Sequence, residues 1–206
     1  LKRLERDTSF ERVVCMDIAP PPFGLPDRFE YHRCDIRDGA TLAGIGDSTG
    51  VGTMIHLAFI AYPTRDSGFE YDVDVRGTAN VLESCAKTGV KRLVVASSDC
   101  AYGFFEGTPD YLPETAPIRS TPGFPYSENK AAIEEMIAGF AASHRSCAVA
   151  VLRPCIVMGP TCKSTTAQSM RQPVIIGVRG YNPIMQFVYE DDTAEAFYLA
   201  AVKDVR

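Results

Sequence analysis

Leu93-Val94-Val95-Ala96 is an unbroken apolar run that meets Ser97 and Ser98 without a polar residue in between. A strand with one wet face would alternate apolar and polar positions. A short valine-rich run closed by small polar residues instead reads as a strand buried on both faces, the kind found in parallel sheets. Parallel neighbours need crossover connections, and those connections cover the sheet. This one stretch therefore constrains the architecture more than any other.

The rest of the chain supplies matching parts. Residues 1 to 7 read as the end of a helix. Val13-Val14-Cys15-Met16-Asp17 reads as a strand ending in a carboxylate, and Phe29 to Cys34 as another, ending at Asp35-Ile36. Gly44, Gly46, Gly50 and Gly52 make the next stretch loop-like. Thr53 to Leu57 is a third apolar strand, leaving through Ala58. A helical pattern follows, with Val73, Ala79, Val81, Leu82 and Ala86 predicted inward and Gly89 as its stop.

After Ser98, residues 103 to 125 read as a long surface loop. Tyr126 to Phe140 has apolar residues at helical spacing: Ile133, Met136, Ile137, Phe140. Ala148 to Arg153 is a further strand, ending at Pro154-Cys155-Ile156. Residues 161 to 185 read as irregular, with an apolar run over 174–178. A last helix follows Gln186 to Tyr189, with Asp191 or Asp192 as its N-cap. The alternation predicts an α/β fold: one doubly wound parallel sheet with helices on both faces, and ligands at the carboxyl ends of its strands.

Composition narrows the partners. The 206 residues are 46% hydrophobic and 23% charged, an ordinary globular mixture for one domain. A net charge of −5 without a basic block argues against nucleic acid and anionic membrane. No apolar stretch is long enough for a membrane helix, and none resembles a signal peptide. The seven cysteines are scattered without a Cys-x-x-Cys, which fits reduced thiols in a cytoplasmic protein. His32, His56 and His144 lack ligand-like spacing, so no metal site is expected, and His56 is read as a packed strand residue.

The chemistry concentrates between Ser98 and Lys130. Tyr126 and Lys130 lie one helical turn apart on a single face. A phenol titrates near 10 and is a poor base at neutral pH, but a neighbouring ammonium favours the phenolate. A tyrosine so tuned can pass a proton to or from a hydroxyl or carbonyl, and a serine at the adjacent strand end can hold the same oxygen. The Tyr-x3-Lys spacing alone carries little weight, because a half-exposed helix face offers it about as often by chance. Strand end, serines, loop and helix in that order give it meaning. Asp17 alone reads more readily as a turn residue, since Ile18, Ala19 and Pro20-Pro21-Pro22 follow.

Taken together, the segments resemble an extended short-chain dehydrogenase/reductase of the NAD-dependent epimerase/dehydratase family. The carriers are Val14 to Asp17, Asp35-Ile36, His56-Leu57-Ala58, Gly77-Thr78-Ala79-Asn80-Val81-Leu82-Glu83, Gly89-Val90-Lys91-Arg92, Ser97-Ser98 with Tyr102-Gly103, Tyr126 with Lys130, Arg153-Pro154 with Gly159-Pro160, and Asp191-Asp192. The resemblance implies a Rossmann-like domain over residues 1–206 with Ser98, Tyr126 and Lys130 catalytic. Tyr126 would be the general acid/base, and Lys130 would hold the nicotinamide ribose and lower the phenol pKa. It implies cofactor contacts from Asp17, Asp35, Ile36, Leu57, Ala58, Asp74, Ala96, Ser97, Tyr126, Lys130 and Pro154. Substrate contacts would come from Ser98, Asp99, Tyr126, Cys155 and Ile156. Asp17 would hold the adenosine ribose and repel a 2′-phosphate, favouring NAD over NADP. A homodimer through the helices at 70–88 and 126–142 is the implied assembly.

The sequence also departs from the resemblance. The glycine-rich first turn that seats a pyrophosphate is absent, so the chain reads as truncated at both ends, with 157–186 a remnant of the small substrate lobe. Asp74 stands where asparagine is common, Ile156 where nucleotide-sugar enzymes carry asparagine, and Met185 near a diphosphate arginine. The leading expectation is hydride transfer between NAD(H) and a carbinol or carbonyl carbon of a small molecule. The alternatives are a nucleotide-sugar epimerase or dehydratase with tightly bound NAD, and a dinucleotide-binding module without turnover.

Overall fold

The computed structural model describes every residue except 63, 163–164, 175–176, 178, 181–183 and 204–206. Its elements in order are α1 (Lys2–Arg6), β1 (Val13–Asp17), β2 (Phe29–Arg33), α2 (Gly39–Thr49), β3 (Thr53–His56) and α3 (Ser67–Tyr71). A π-helical turn (Asp72–Arg76) leads into α4 (Gly77–Thr88) and β4 (Arg92–Ala96). A 3₁₀ turn (Asp99–Tyr102) precedes α5 (Pro125–Ser143), β5 (Ala148–Leu152), β6 (Ile156–Met158), α6 (Thr165–Met170), β7 (Phe187–Tyr189) and α7 (Glu190–Val202).

All strand pairs among the described residues are parallel, and the strand carrying Ser97 is the centre of its sheet. β4 lies between β3 and β5, with Val94 opposite Ile55 on one side and Ala150 on the other. Leu93, Val94 and Val95 are fully buried. Leu93 and Val95 join a core with residues of α2, α4 and α5, including Leu42, Leu82, Ile133 and Ile137. Val94 faces the opposite way, onto Ala200, Ala201 and Phe197 of α7. Helices thus cover both faces of this sheet, and each buried side chain of this kind contributes about 1.5–3 kcal/mol.

The expected α/β architecture of parallel strands covered by helices is present. The strands form three ladders, β1–β2, β3–β4–β5 and β6–β7. Val14 and Met16 of β1 nevertheless pack into the same core as Leu93 and Val95. Side-chain contact, not a hydrogen-bonded ladder, ties the first two ladders together.

Four further expectations change. The glycine-rich stretch after Asp38 is helix α2, capped by the Asp38 carboxylate accepting the Thr41 N–H at 3.0 Å. Its Gly46 is there for packing: a Cβ would come within 2.9 Å of Thr88 Cγ2 on α4. In α4, Ala79 and Ala86 face out, and Thr78, Ser84 and Cys85 join Val81 and Leu82 inside. The π turn explains the shift, since i→i+5 bonding breaks the 3.6 phase read from Val73 onward. Residues 165–170 are helical, and the 174–178 run lies partly outside the described residues. The last helix starts at Glu190, so Asp191 and Asp192 sit in its first turn and favour its positive end instead of capping it. Gly89 ends α4 as expected, in the left-handed region at φ 69°. No helix among the described residues is long and apolar enough to cross a membrane.

Candidate active site

Ser98 follows the central strand, and its neighbours fix the first turn of α5 against it. The Ser127 hydroxyl, fully buried, donates to the Cys100 carbonyl at 2.6 Å and accepts the Thr121 N–H at 2.8 Å. Arg119 and Ser120 both donate backbone N–H groups to the Ala101 carbonyl. Gly103 makes that approach possible, since a Cβ there would lie 2.7 Å from the Ser120 carbonyl oxygen. The long loop is therefore pinned at both ends to the segment it connects, and Tyr126 and Ser98 are held close by construction.

The Ser98 hydroxyl donates to the Asp99 carboxylate at 3.0 Å and accepts the Cys100 N–H at 3.2 Å. It also lies near enough to the Tyr126 phenol to lower its pKa in part. The net shift of that phenol is upward, because burial outweighs the serine and the acidic groups of Cys100, Asp99 and Asp74 add to the rise. The expectation that Lys130 pulls the phenol down is not met in this geometry. The Lys130 ammonium lies 5.7 Å from the Tyr126 ring centroid, donates to the Ala96 carbonyl at 2.8 Å and sits 3.3 Å from the Phe59 ring centroid. Burial lowers its own pKa to about 8 against the pull of Asp74, Glu134 and Cys100.

Other expected positions separate into open and closed. Asp17, Leu57 and Ala58 are exposed at the ends of β1 and β3. The Asp17 carboxylate accepts the Ala19 N–H at 3.0 Å. Asp35 is clamped by Arg37 through its backbone N–H at 2.9 Å and its guanidinium at 2.6 Å, and those bonds hold the carboxyl below its ordinary range. Ile36 packs onto Gly77, and the Asn80 amide donates to the Ile36 carbonyl at 2.9 Å. Ala96, Asp99, Pro154, Cys155 and Ile156 are half-buried where β4 and β5 end. Among the described residues no cluster of three His, Cys, Asp or Glu is placed to hold a metal.

Two side chains expected at the cofactor are turned inward. The Ser97 hydroxyl donates to the Glu134 carboxylate. Asp74 is 1% exposed, and its oxygens accept the Ile60 N–H at 2.8 Å and the Asn129 amide at 3.3 Å. In this structure both side chains face inward.

The supporting layer is not legible in the sequence. Glu134 is 7% exposed and receives Arg153 Nε at 2.8 Å and Nη2 at 2.5 Å, while Arg153 Nη1 donates to the Tyr102 hydroxyl at 2.8 Å. Glu134 stands one turn beyond Lys130 on the same helix face, and that spacing is the available signal. His56 is 3% exposed, with Nε2 3.0 Å from the Thr78 hydroxyl. Thr78 gives its only proton to the Asp74 carbonyl, so His56 Nε2 must carry the proton that bridges them. Burial, helped by the Lys130 charge, pushes the imidazole down to about 3, which leaves it neutral and in keeping with a packing role.

In front of Tyr126 lies a cleft of about 180 Å³, lined by Thr64, Arg65, Ser67, Glu70, Phe124 and Pro125. That is below the roughly 300 Å³ of pockets that swallow a whole ligand, so the cleft admits the reacting end of a molecule. Tyr126 is the member of the trio that lines this cleft, while Ser98 and Lys130 are buried; a phenol with a serine hydroxyl and an ammonium grouped near it can donate, accept and stabilise charge at a single substrate oxygen.

Comparisons with known proteins find relatives across nearly the whole chain. The profile of the NAD dependent epimerase/dehydratase family matches residues 1–206. An uncharacterised protein of Mycobacterium tuberculosis is 26% identical over 97% of this chain and 54% of its own length. Sterol-4-alpha-carboxylate 3-dehydrogenase of Saccharomyces cerevisiae is 27% identical over 86% of this chain and 51% of its own. The chain thus spans about half the length of these relatives. Among solved structures, UDP-glucose 4-epimerase of Thermotoga maritima superposes with a TM-score of 0.78 at 24% identity, covering 93% of this chain and 66% of that one. The NAD complex of UDP-glucose 4-epimerase from Thermus thermophilus gives 0.71 at 26% identity, covering 87% and 62%.

Proposed function

This chain belongs to the NAD dependent epimerase/dehydratase family, and from that premise we propose that it forms the dinucleotide-binding domain of an oxidoreductase. The reaction is hydride transfer between NAD(H) and a carbinol or carbonyl carbon of a small-molecule substrate. The observation that carries the reading is the grouping of Ser98 and Lys130 around Tyr126, whose side chain lines a cleft.

The open ends of β1 and β3, with exposed Asp17, Leu57 and Ala58, suit a dinucleotide laid across the strand ends. NAD supplies the hydride acceptor, or its reduced form the donor. The chain's own residues handle the proton. With its pKa raised by burial, Tyr126 rests as a neutral phenol, ready to donate to a carbonyl oxygen. In the oxidising direction it must take the hydroxyl proton as a phenolate, and the nearest cation to compensate that charge is Lys130. Ser98 orients the same substrate oxygen, with Asp99 fixing the serine rotamer. Asp17 gives a 2′-phosphate an unfavourable neighbour, so NAD is preferred over NADP. Residues 1–206 form one domain in this reading, with 157–186 belonging to the substrate lobe.

The relatives allow a second chemistry. Several are UDP-sugar 4-epimerases, such as that of Streptomyces lividans, 34% identical over 62% of this chain. In that case the same three residues serve a net epimerisation. Ile156 and Met185 offer a diphosphate no charge, which weighs toward the yeast-type dehydrogenase reading.

The test is Tyr126→Phe in the full chain. Loss of the proton carrier should lower turnover by roughly 10²–10⁴-fold with the melting temperature preserved. Turnover equal to that of the parent protein would remove Tyr126 from the mechanism.

A further inference from the structure

The cleft in front of Tyr126 carries a charge that the proton chemistry leaves unused. Arg65 lines it and is exposed, and among the described residues its guanidinium makes no hydrogen bond and no ion pair. The adjacent Asp66 carboxylate is spent on the cap of α3, where it accepts the Phe69 N–H at 2.9 Å. The Glu70 carboxylate, 4% exposed in the wall of the same cleft, accepts the Thr64 N–H. The Thr64 hydroxyl accepts the Asp66 N–H at 3.1 Å and donates to the Asp66 carbonyl at 3.2 Å. The backbone on both sides of Arg65 is therefore tied down, while its side chain is left open. A surface arginine is by default a solvated charge. This one differs because it shares a small cleft with the reacting phenol. Its guanidinium is a planar fork of N–H donors that fits a carboxylate with two parallel bonds.

We propose that this cleft selects a hydroxy acid, whose carboxylate pairs with Arg65 while its reacting hydroxyl meets Tyr126. This names the substrate class of the proposed function, on which it rests. The lining sorts the groups of such a ligand. Phe124 and Pro125 offer an apolar wall to its carbon skeleton. Glu70 accepts hydrogen bonds and repels a second anion, so hydroxyls face Glu70 and the acid turns to Arg65. The charge count favours a carboxylate over a phosphate. A phosphate monoester carries about −1.5 to −2 at neutral pH. A single guanidinium beside a buried carboxylate balances one negative charge, which is what a carboxylate brings. Arg65 in this role sets specificity, and Tyr126 keeps the chemistry.

The experiment compares D-glucuronate with D-glucose, which share a ring and differ in the acid. Each is titrated into the full chain, with and without NAD, and followed by NMR at the Tyr126 ring resonances, assigned by their loss in Tyr126→Phe. Glucuronate should shift these resonances and bind about tenfold more tightly than glucose, the increment of one hydrogen-bonded charge pair. Arg65→Met keeps the apolar stem and removes the charge, and there the advantage of glucuronate should vanish. D-Glucose 6-phosphate, the phosphate arm, should bind more weakly than glucuronate. Equal binding of glucuronate and glucose, or a preference that survives Arg65→Met, overturns the proposal. So does tighter binding of the phosphate, or no shift at Tyr126 with any of the three. Arg65 is exposed, so the melting temperature of Arg65→Met should match that of the parent and folding does not confuse the reading. These titrations read binding and not turnover. A parent protein that binds glucuronate through Arg65 but transfers no hydride would lose the proposed function and keep the anion site, and an active enzyme indifferent to Arg65→Met would do the reverse.

Discussion

The two ends of the strand-end crevice are built differently. At the reaction end, Ser98, Lys130, Glu134, Asp74 and His56 are all under a tenth exposed, and each is hydrogen-bonded inside the protein. At the other end, Asp17 is exposed and its carboxylate accepts the Ala19 N–H of its own turn, and Asp35 is held by Arg37 two residues on. Burial moves Lys130 down to about 8 and His56 down to about 3, and raises the Asp74 carboxyl. At the exposed end, the local bonds from Arg37 hold the Asp35 carboxyl below its ordinary range. In one fold, the buried end couples chemistry to stability, and the exposed end leaves the two independent.

The sharpest test of that contrast is Arg153→Met. It strands the Glu134 carboxylate, whose side chain is 6% exposed, without its cation. Breaking a buried pair from one side costs about 3–5 kcal/mol, while replacing both partners with apolar residues is often near neutral. Urea denaturation should therefore show a large loss in Arg153→Met and recovery of most of it in Arg153→Met/Glu134→Leu. A loss under about 1 kcal/mol in the single variant would mean that the reaction end is wetter than its geometry indicates.

The next effect is smaller and depends on pH. The folded pKa of His56 is depressed, so the unfolded chain binds a proton between about 6.5 and 3 that the native state refuses. Stability from this group is complete above 6.5 and is lost as pH falls, at up to about 1.4 kcal/mol per unit. Comparing unfolding free energies at pH 7 and pH 5 for the parent and for His56→Gln isolates it. The drop should be steeper in the parent. Parallel pH dependences would show that the imidazole is not sealed from water.

The same contrast decides what can be read from the sequence. Strand β4 is legible because its apolar run has only one good home, a doubly covered sheet. Tyr126 and Lys130 are legible because helical spacing fixes their face. Helix α2 is hidden because Gly44 and Gly46 look like loop residues, whereas Gly46 serves close contact with Thr88. The inward face of α4 is misleading in the sequence because nothing in Asp72–Arg76 announces a π turn. The Glu134–Arg153–Tyr102 network joins positions 19 and 51 residues apart, and no local pattern encodes such a pairing. Sequence periodicity reports which face is buried. It does not report how buried polar groups find one another, and that layer sets the chemistry here.

The smallest expected change in stability belongs to the exposed end and carries the clearest functional consequence. Asp17→Ala removes an exposed carboxylate that accepts the Ala19 N–H of its own turn, so the melting temperature should barely move. If Asp17 faces the adenosine ribose, the same change removes the charge that repels a 2′-phosphate. A pair of like charges at such a surface is worth about 1–2 kcal/mol, so NADP affinity should rise roughly tenfold while NAD affinity falls through loss of the ribose contact. Calorimetric titration of both dinucleotides against the full chain separates the two effects. A ratio of NAD to NADP affinity that does not change on substitution would place the adenosine away from β1. A large fall in melting temperature would instead show that this end, too, is coupled to the core.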